Sequence, residues 1–134
     1  MEPNSILVVD DDSDDRFLLK TAFNDLGYTN LVCFAESGEK ALNYLEGALE
    51  IKELPRLVVL DLNMPKMTGT QLLKRIKSHT VYKDIDVIIF STAVNDFEKN
   101  ECLSSGAVGY LVKPINYNGF LETVQSFHAI ASAV

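Results

Sequence analysis

Two short apolar runs in this chain each end in aspartate. Residues 6–9 (Ile-Leu-Val-Val) lead directly into three aspartates at 10–12, and residues 57–60 (Leu-Val-Val-Leu) lead directly into Asp61. Four consecutive aliphatic residues are typical of a strand that is buried on both faces, as in a parallel sheet. Because ligands bind at the carboxyl ends of the strands in such sheets, the two runs predict a group of carboxylates at one edge.

Strand and helix patterns alternate five times along the chain. The predicted strands cover residues 5–9, 31–35, 57–60, 87–90 and 108–112. The predicted helices cover residues 14–26, 38–46, 69–78, 95 or 96 to 106, and 117–131. Such alternation indicates a parallel sheet with helices on both faces, and right-handed crossovers leave few topologies. We predict a flavodoxin-like, doubly wound (βα)5 α/β fold with strand order 2-1-3-4-5, in which the first and third strands are neighbours.

Two glycines are predicted to end helices. Gly27 follows the first helical pattern and Gly47 follows the second, and glycine readily takes the positive φ found after a helix. The segment 47–56 would then be a connection longer than the others.

Length and composition predict one domain, residues 1–134, with a core at about 5–131. Hydrophobic residues make up 47% of the chain and no apolar run approaches the ~20 residues of a membrane span. The net charge of −7 argues against binding to nucleic acid or to anionic membranes. Cys33 and Cys102 lack metal-ligand spacing, and we interpret them as free thiols of a cytoplasmic protein.

The carboxylates predict a metal site. Asp10, Asp11 and Asp61 could offer oxygen ligands to a hard divalent cation such as Mg²⁺, and close carboxylates need a cation or a proton among them. A simpler explanation, that acidic residues cap the following helix, accounts for one or two of three later aspartates. These are Asp12, Asp14 and Asp15.

Two further polar residues follow predicted strands. Ser91 comes after residues 87–90, and Lys113 comes after residues 108–112 and before Pro114. A hydroxyl and an ammonium at the edge that carries the carboxylates suit an anionic ligand such as a phosphoryl group. The alternatives are a turn or capping role for Ser91 and a solvated surface position for Lys113.

Asp61 is the candidate reacting group. An aspartate can act as a nucleophile and form an aspartyl phosphate, with a metal and Lys113 neutralising the transferring phosphoryl group. Asn63 could add its backbone oxygen to the metal ligands without adding charge. Pro65 and Gly69 predict a turn into the third helix.

These segments resemble the receiver domain of response regulators in two-component signalling, the CheY-like family. The resemblance spans about residues 5–131, and the connection at 47–56 resembles stand-alone receivers, including some linked to bacterial phytochrome kinases. The segments that carry it each follow a predicted strand: Asp10-Asp11, Asp61-Leu62-Asn63-Met64-Pro65 with Gly69, Ser91, and Gly109-Tyr110-Leu111-Val112-Lys113-Pro114.

The resemblance implies a role for each site residue. Asp61 would be the phosphoacceptor, and Asp10 and Asp11 would hold Mg²⁺ together with Asp61 and the main-chain oxygen of Asn63. Asp12, one place past the acidic pair, is interpreted as a loop or helix-cap residue.

The remaining motif residues would bind the phosphate and transmit the change. Ser91 would be the switch hydroxyl, with Thr92 beside it as a second candidate, and Lys113 would bind the phosphate. The Lys113–Pro114 bond would be cis. Tyr110 would be the aromatic residue that swings inward on activation.

The implied function is signalling rather than enzymatic turnover of a substrate. A histidine kinase or a phosphotransfer protein would phosphorylate Asp61. The surface of the fourth helix, fifth strand and fifth helix would then change for a downstream protein or a homodimer. The chain would be a stand-alone receiver or the N-terminal part of a longer regulator.

Two alternatives belong to other classes. An aspartyl-phosphate hydrolase of the haloacid dehalogenase type typically needs a second aspartate two residues after the nucleophile, where this chain has Asn63. A degenerate receiver that acts only as a protein-interaction module would have lost the acidic pair, the phosphoacceptor or the lysine. All of these residues are present.

Overall fold

A five-stranded parallel sheet forms the centre of the computed structural model, which describes residues 1–133. Its strand order is 2-1-3-4-5, so the predicted flavodoxin-like fold is confirmed. The strands are β1 (Ile6–Val9), β2 (Val32–Ala35), β3 (Leu57–Leu60), β4 (Asp86–Ser91) and β5 (Gly109–Val112).

Helices cover both faces of the sheet. On one face α1 and α5 pack on a core that contains three fully buried phenylalanines, Phe23, Phe90 and Phe127. On the other face α2 and α3 pack on a second, aliphatic core that also takes in Cys102 from α4. The helices are α1 (Ser13–Asp25), α2 (Gly38–Glu50), α3 (Gly69–Ser78), α4 (Asp96–Ser104) and α5 (Tyr117–Ser132).

The two central strands explain the continuous apolar runs of the sequence. Every residue of β1 and β3 is buried, because helices cover both sides of the sheet. The two strands pair in register, with Val9 opposite Leu60. The residues that follow them therefore leave the sheet side by side, and the amide of Asp61 donates to the carbonyl of Val9 at 3.0 Å.

The predicted end of α2 is wrong. The helix continues through Gly47 for three more residues, because Ala48 is buried in the core and one glycine costs a helix only about 1 kcal/mol. The residue with positive φ is Lys52 (φ 60°), and Ile51 caps the helix. Gly27 does take positive φ after α1, as predicted (φ 80°).

The other element ends lie within one or two residues of their predicted positions, which is the usual uncertainty of a helix or strand boundary. No helix within residues 1–133 is long and apolar enough to cross a membrane.

The predicted cis bond before Pro114 is also wrong. Residues 1–133 contain no cis peptide bond, so the Lys113–Pro114 bond is trans. The trans form is the one that an X–Pro bond intrinsically prefers, by about 0.5–1 kcal/mol.

Candidate functional site

Three carboxylates converge at the carboxyl edge of the sheet, as the strand pattern predicts. Asp10, Asp11 and Asp61 each place one carboxylate oxygen within 4.8 Å of the other two. Asp10 and Asp61 are buried and Asp11 is exposed, so the group opens to solvent on one side. The register of β1 with β3 produces this convergence.

Lys113 reaches into this group from the end of β5. Its Nζ lies 2.8 Å from Asp10 Oδ2, 2.8 Å from Asp15 Oδ2 and 3.7 Å from Asp61 Oδ1. The lysine side chain is only 6% exposed. A buried ammonium is stable only among compensating charges, and these carboxylates provide them.

Burial of the carboxylates changes their protonation. Burial raises the pKa of Asp61 to about 6, although the charge of Lys113 acts in the opposite direction. Burial also raises the pKa of Asp10. For Lys113, burial lowers the pKa, but the close contacts with the carboxylates of Asp10 and Asp15 outweigh it and the net pKa is raised. The negative charge of the group is therefore only partly compensated by the lysine.

The residues fit a hard divalent cation. Asp10 Oδ2 is buried and forms an ion pair with Lys113 Nζ at 2.8 Å, but among residues 1–133 no donor reaches it in hydrogen-bond geometry. A buried acceptor without a donor is unfavourable unless another partner satisfies it. Three carboxylates with an unsatisfied oxygen are the ligand set that Mg²⁺ or a similar cation takes.

The other oxygen of Asp10 is held by the backbone. Asp10 Oδ1 accepts from the amide of Asp12 at 2.9 Å, and the guanidinium of Arg16 donates to the Asp10 carbonyl at 2.7 Å. Asp12 itself caps α1 by accepting from the amides of Asp14 and Asp15, which confirms its interpretation as a cap residue. The cap fixes the loop that carries the acidic pair.

Ser91 and Thr92 differ in burial. Ser91 ends β4 and is 3% exposed, whereas Thr92 is exposed. The amide of Lys113 donates to the Ser91 carbonyl at 2.6 Å. A backbone hydrogen bond therefore joins the end of β4, which carries the hydroxyl, to the end of β5, which carries the ammonium. Of the two hydroxyl residues, Ser91 is the buried one at the end of its strand.

Tyr110 links β5 to the loop after β4. Its side chain is half-buried against the aliphatic core, and its hydroxyl donates to the carbonyl of Ala93 at 3.0 Å. The aromatic residue thus contacts the segment that directly follows Ser91.

The loop after β3 passes very close to the start of α3. A Cβ on Gly69 would lie 2.1 Å from the carbonyl oxygen of Asp61, so only glycine fits there. The predicted turn forms, with a bond from the Met67 amide to the Pro65 carbonyl at 2.8 Å. The amide of Asn63 approaches Asp61 Oδ1 at 3.4 Å.

Pro114 packs against the first turn of α5. A Cβ on Gly119 would lie 2.4 Å from Pro114 Cβ, and Asn116 caps the helix by accepting from the Gly119 amide. This contact fixes the segment that follows Lys113.

Asp15 is the site residue that the sequence interpretation missed. An acidic residue in the first turn of a helix is already favoured by the helix dipole, so the sequence carries no signal for a further role of Asp15. The structure brings its carboxylate to Lys113 across 98 residues of chain.

Residues 6–125 match the profile of the response regulator receiver domain. This chain belongs to that family. The receiver is 33% identical over 127 residues to a probable methanogenesis regulatory protein, FilR2, of Methanothrix harundinacea, covering 92% of this chain and 81% of that protein. It is 36% identical over 109 residues to the chemotaxis protein CheY1 of Helicobacter pylori, covering 81% of this chain and 84% of that protein.

Solved structures agree with this assignment. The phosphorylated cyanobacterial phytochrome response regulator RcpA superposes with a TM-score of 0.86 at 26% identity, covering 99% of this chain and 96% of that one. The Mn²⁺-bound form of the response regulator Rcp1 superposes with a TM-score of 0.81 at 26% identity, covering 96% and 95%. The receiver is therefore a module of two-component signalling.

Proposed function

We propose that this receiver accepts a phosphoryl group on Asp61 from a histidine kinase or a histidine phosphotransfer protein. The observation that carries the proposal is the placement of the buried Asp61 carboxylate among Asp10, Asp11 and Lys113. A carboxylate oxygen of Asp61 attacks phosphorus, the P–N bond of the phosphohistidine breaks and the imidazole leaves. Water later cleaves the acyl phosphate and restores the carboxylate.

A divalent cation belongs to this proposal, and we assign it as Mg²⁺. Asp10, Asp11 and Asp61 would hold it, with the backbone oxygen of Asn63 as a further ligand. The cation would neutralise charge on the phosphoryl oxygens. The unsatisfied Asp10 Oδ2 supports this assignment, and the structural neighbour Rcp1 has been solved with Mn²⁺ bound.

The proposed phosphate-binding groups are Ser91 and Lys113. The burial of Ser91 at the strand end favours it over Thr92 as the hydroxyl that binds the phosphoryl oxygens. Movement of Ser91 would reach Tyr110 through the loop that contains Ala93. Phosphorylation would then shift an equilibrium between two arrangements of this region.

The output of the proposed switch is a protein contact. The surface formed by α4, β5 and α5, here named the α4–β5–α5 face, would bind a downstream protein or a second copy of the receiver. Exposed apolar side chains on α4 and β5 support this assignment, and they include Phe97, Leu103 and Val112. We assign no nucleic-acid or membrane partner and no enzymatic activity beyond phosphoryl transfer to Asp61 and its hydrolysis.

We assign the receiver to the cytoplasm. Both Cys33 and Cys102 are free thiols, which is in keeping with a reducing compartment.

Intact mass after incubation with acetyl phosphate tests the proposed function. We expect one phosphoryl adduct that requires Mg²⁺, is absent in Asp61→Asn and persists in Asp84→Asn, an exposed aspartate outside the group. An adduct that survives in Asp61→Asn would contradict the assignment of the phosphoacceptor. A folded protein that forms no adduct and binds no beryllofluoride would instead be an interaction module.

A further inference from the structure

Asp15 engages the lysine of the site by a contact that none of the assigned roles uses. Lys113 Nζ donates a hydrogen bond of 2.8 Å to Asp15 Oδ2. Asp10 Oδ2 lies at the same distance from Nζ but receives no aligned hydrogen bond. Of these two contacts, only the one to Asp15 therefore has hydrogen-bond geometry.

The position of the ammonium follows from these contacts. Nζ is 2.8 Å from each of Asp10 and Asp15 but 3.7 Å from Asp61, which is outside hydrogen-bond distance. In this unmodified state Lys113 is held on the α1 side of the site. A phosphoryl group on Asp61 brings new anionic oxygens, and the ammonium must move toward them to donate hydrogen bonds.

None of the roles described above involves the Asp15 carboxylate. The N-cap of α1 is Asp12, whose side chain accepts hydrogen bonds from two amides of the first turn. Within residues 1–133 the Asp15 carboxylate accepts no side-chain hydrogen bond except that of Lys113. Asp14 has the same charge in the same helical turn, but its side chain is exposed and makes no ion pair with Lys113.

We propose that Asp15 is a positioning residue that competes with the phosphoryl group for Lys113. The inference rests on the proposed function of Asp61. In the unmodified receiver Asp15 restrains the ammonium, and on phosphorylation Lys113 exchanges this carboxylate for phosphoryl oxygens. Asp15 thereby lowers the affinity of the site for a phosphoryl group. It also limits the fraction of receiver molecules that a given phosphoryl donor activates.

Titration with beryllofluoride, an unreactive phosphoryl mimic, in saturating Mg²⁺ tests the inference. We expect Asp15→Asn to bind it about 3- to 10-fold more tightly than the wild type, the range expected when a competing charged hydrogen bond at a partly exposed site is lost. Asp14→Asn removes the same charge one residue away and should stay within about twofold. Asp15→Glu retains the carboxylate and should lie closer to wild type than Asp15→Asn.

Two comparisons show whether Asp15 acts through the lysine. In a Lys113→Met background, Asp15→Asn should leave beryllofluoride affinity unchanged. In EDTA, where no ligand is bound, the effects of Asp15→Asn and Lys113→Met on the free energy of unfolding should be non-additive, because the contact exists in the unmodified protein. Additive effects in EDTA would overturn the contact, and a persisting tightening in Lys113→Met would overturn the competition.

The outcomes separate this inference from the function on which it rests. If wild type binds beryllofluoride but Asp15→Asn binds it no more tightly than Asp14→Asn, the competition is overturned and the phosphoacceptor role of Asp61 stands. Weaker binding by Asp15→Asn would mean that Asp15 orients Lys113 toward the phosphoryl group. That result would also overturn the proposed competition. A folded wild type that binds none would overturn both proposals.

Discussion

At the scale of single residues, burial of the charged Asp61 carboxylate lowers the free energy of unfolding of the metal-free protein. Its pKa in the folded protein is about 6, above the ordinary 3.8, so the folded state binds the proton more tightly than the unfolded state. Stability without metal should therefore fall as the pH rises from about 4 to about 6, and the whole penalty should be present above that window.

Removing the charge of Asp61 should therefore stabilise the metal-free protein. We expect Asp61→Asn to raise the free energy of unfolding by about 1–3 kcal/mol at pH 7, and the gain to shrink as the pH falls toward 4. Urea denaturation in EDTA measures this. Saturating Mg²⁺ should reduce or reverse the difference, because a cation that binds only the folded wild type stabilises it.

An exposed carboxylate provides the control for this prediction. Glu122 lies on the outer side of α5, and Glu122→Gln should leave the free energy of unfolding within about 0.5 kcal/mol of wild type. A destabilised Asp61→Asn protein in EDTA would show that the contact with Lys113 outweighs the cost of burial.

Residues at strand ends could be predicted from the sequence, whereas Asp15 could not. Asp10 and Asp61 directly follow buried strands, and the order of a doubly wound sheet brings those ends together. Asp15 lies one turn into a helix, where an acidic residue is favourable in any case. Its contact depends on the packing of α1 and on the path of a long lysine side chain, and neither leaves a local pattern.

At the scale of elements, Gly69 and Gly47 differ in the space around them: Gly69 lies at a close backbone contact and Gly47 does not. Gly69 begins α3, where an added Cβ would meet the Asp61 carbonyl at 2.1 Å. Gly47 lies inside α2, and a Cβ there would meet nothing within 4 Å. The sequence predicted the first as a turn residue and wrongly predicted the second as the end of a helix, because an isolated glycine does not reveal its surroundings.

Alanine at these two positions should change stability in opposite directions. We expect Gly69→Ala to lower the free energy of unfolding by about 1–3 kcal/mol and to displace Asp61, so that acetyl phosphate labels it more slowly. Gly47→Ala should raise the free energy of unfolding by about 0.5–1 kcal/mol and leave labelling unchanged. Urea denaturation and intact mass measure both, and a neutral Gly69→Ala would show that the loop can move away from α3.

At the scale of the whole molecule, the sheet order places β5 at an edge beside α4. An edge strand presents unpaired backbone groups, and proteins usually protect such edges. The fold was predictable because the central strands β1 and β3 are buried on both faces, and each gives a continuous apolar run in the sequence. The exposed apolar surface of α4 and β5 was less visible, since α4 is short and mostly polar in sequence.

We expect phosphorylation to drive self-association through the proposed α4–β5–α5 face. Phe97 is 76% exposed there, and Leu103 and Val112, which belong to α4 and β5, are 40% and 44% exposed. We expect wild type to sediment as a dimer with beryllofluoride and Mg²⁺, and Phe97→Asp to remain a monomer because a charge would be buried without a partner.

Ile51→Asp provides the control. It alters a residue that is 65% exposed at the end of α2, outside this face, and it should still dimerise. If Phe97→Asp dimerises as well as Ile51→Asp does, the apolar surface of α4 serves a downstream protein instead, and the mutant should lose that partner without losing phosphorylation of Asp61.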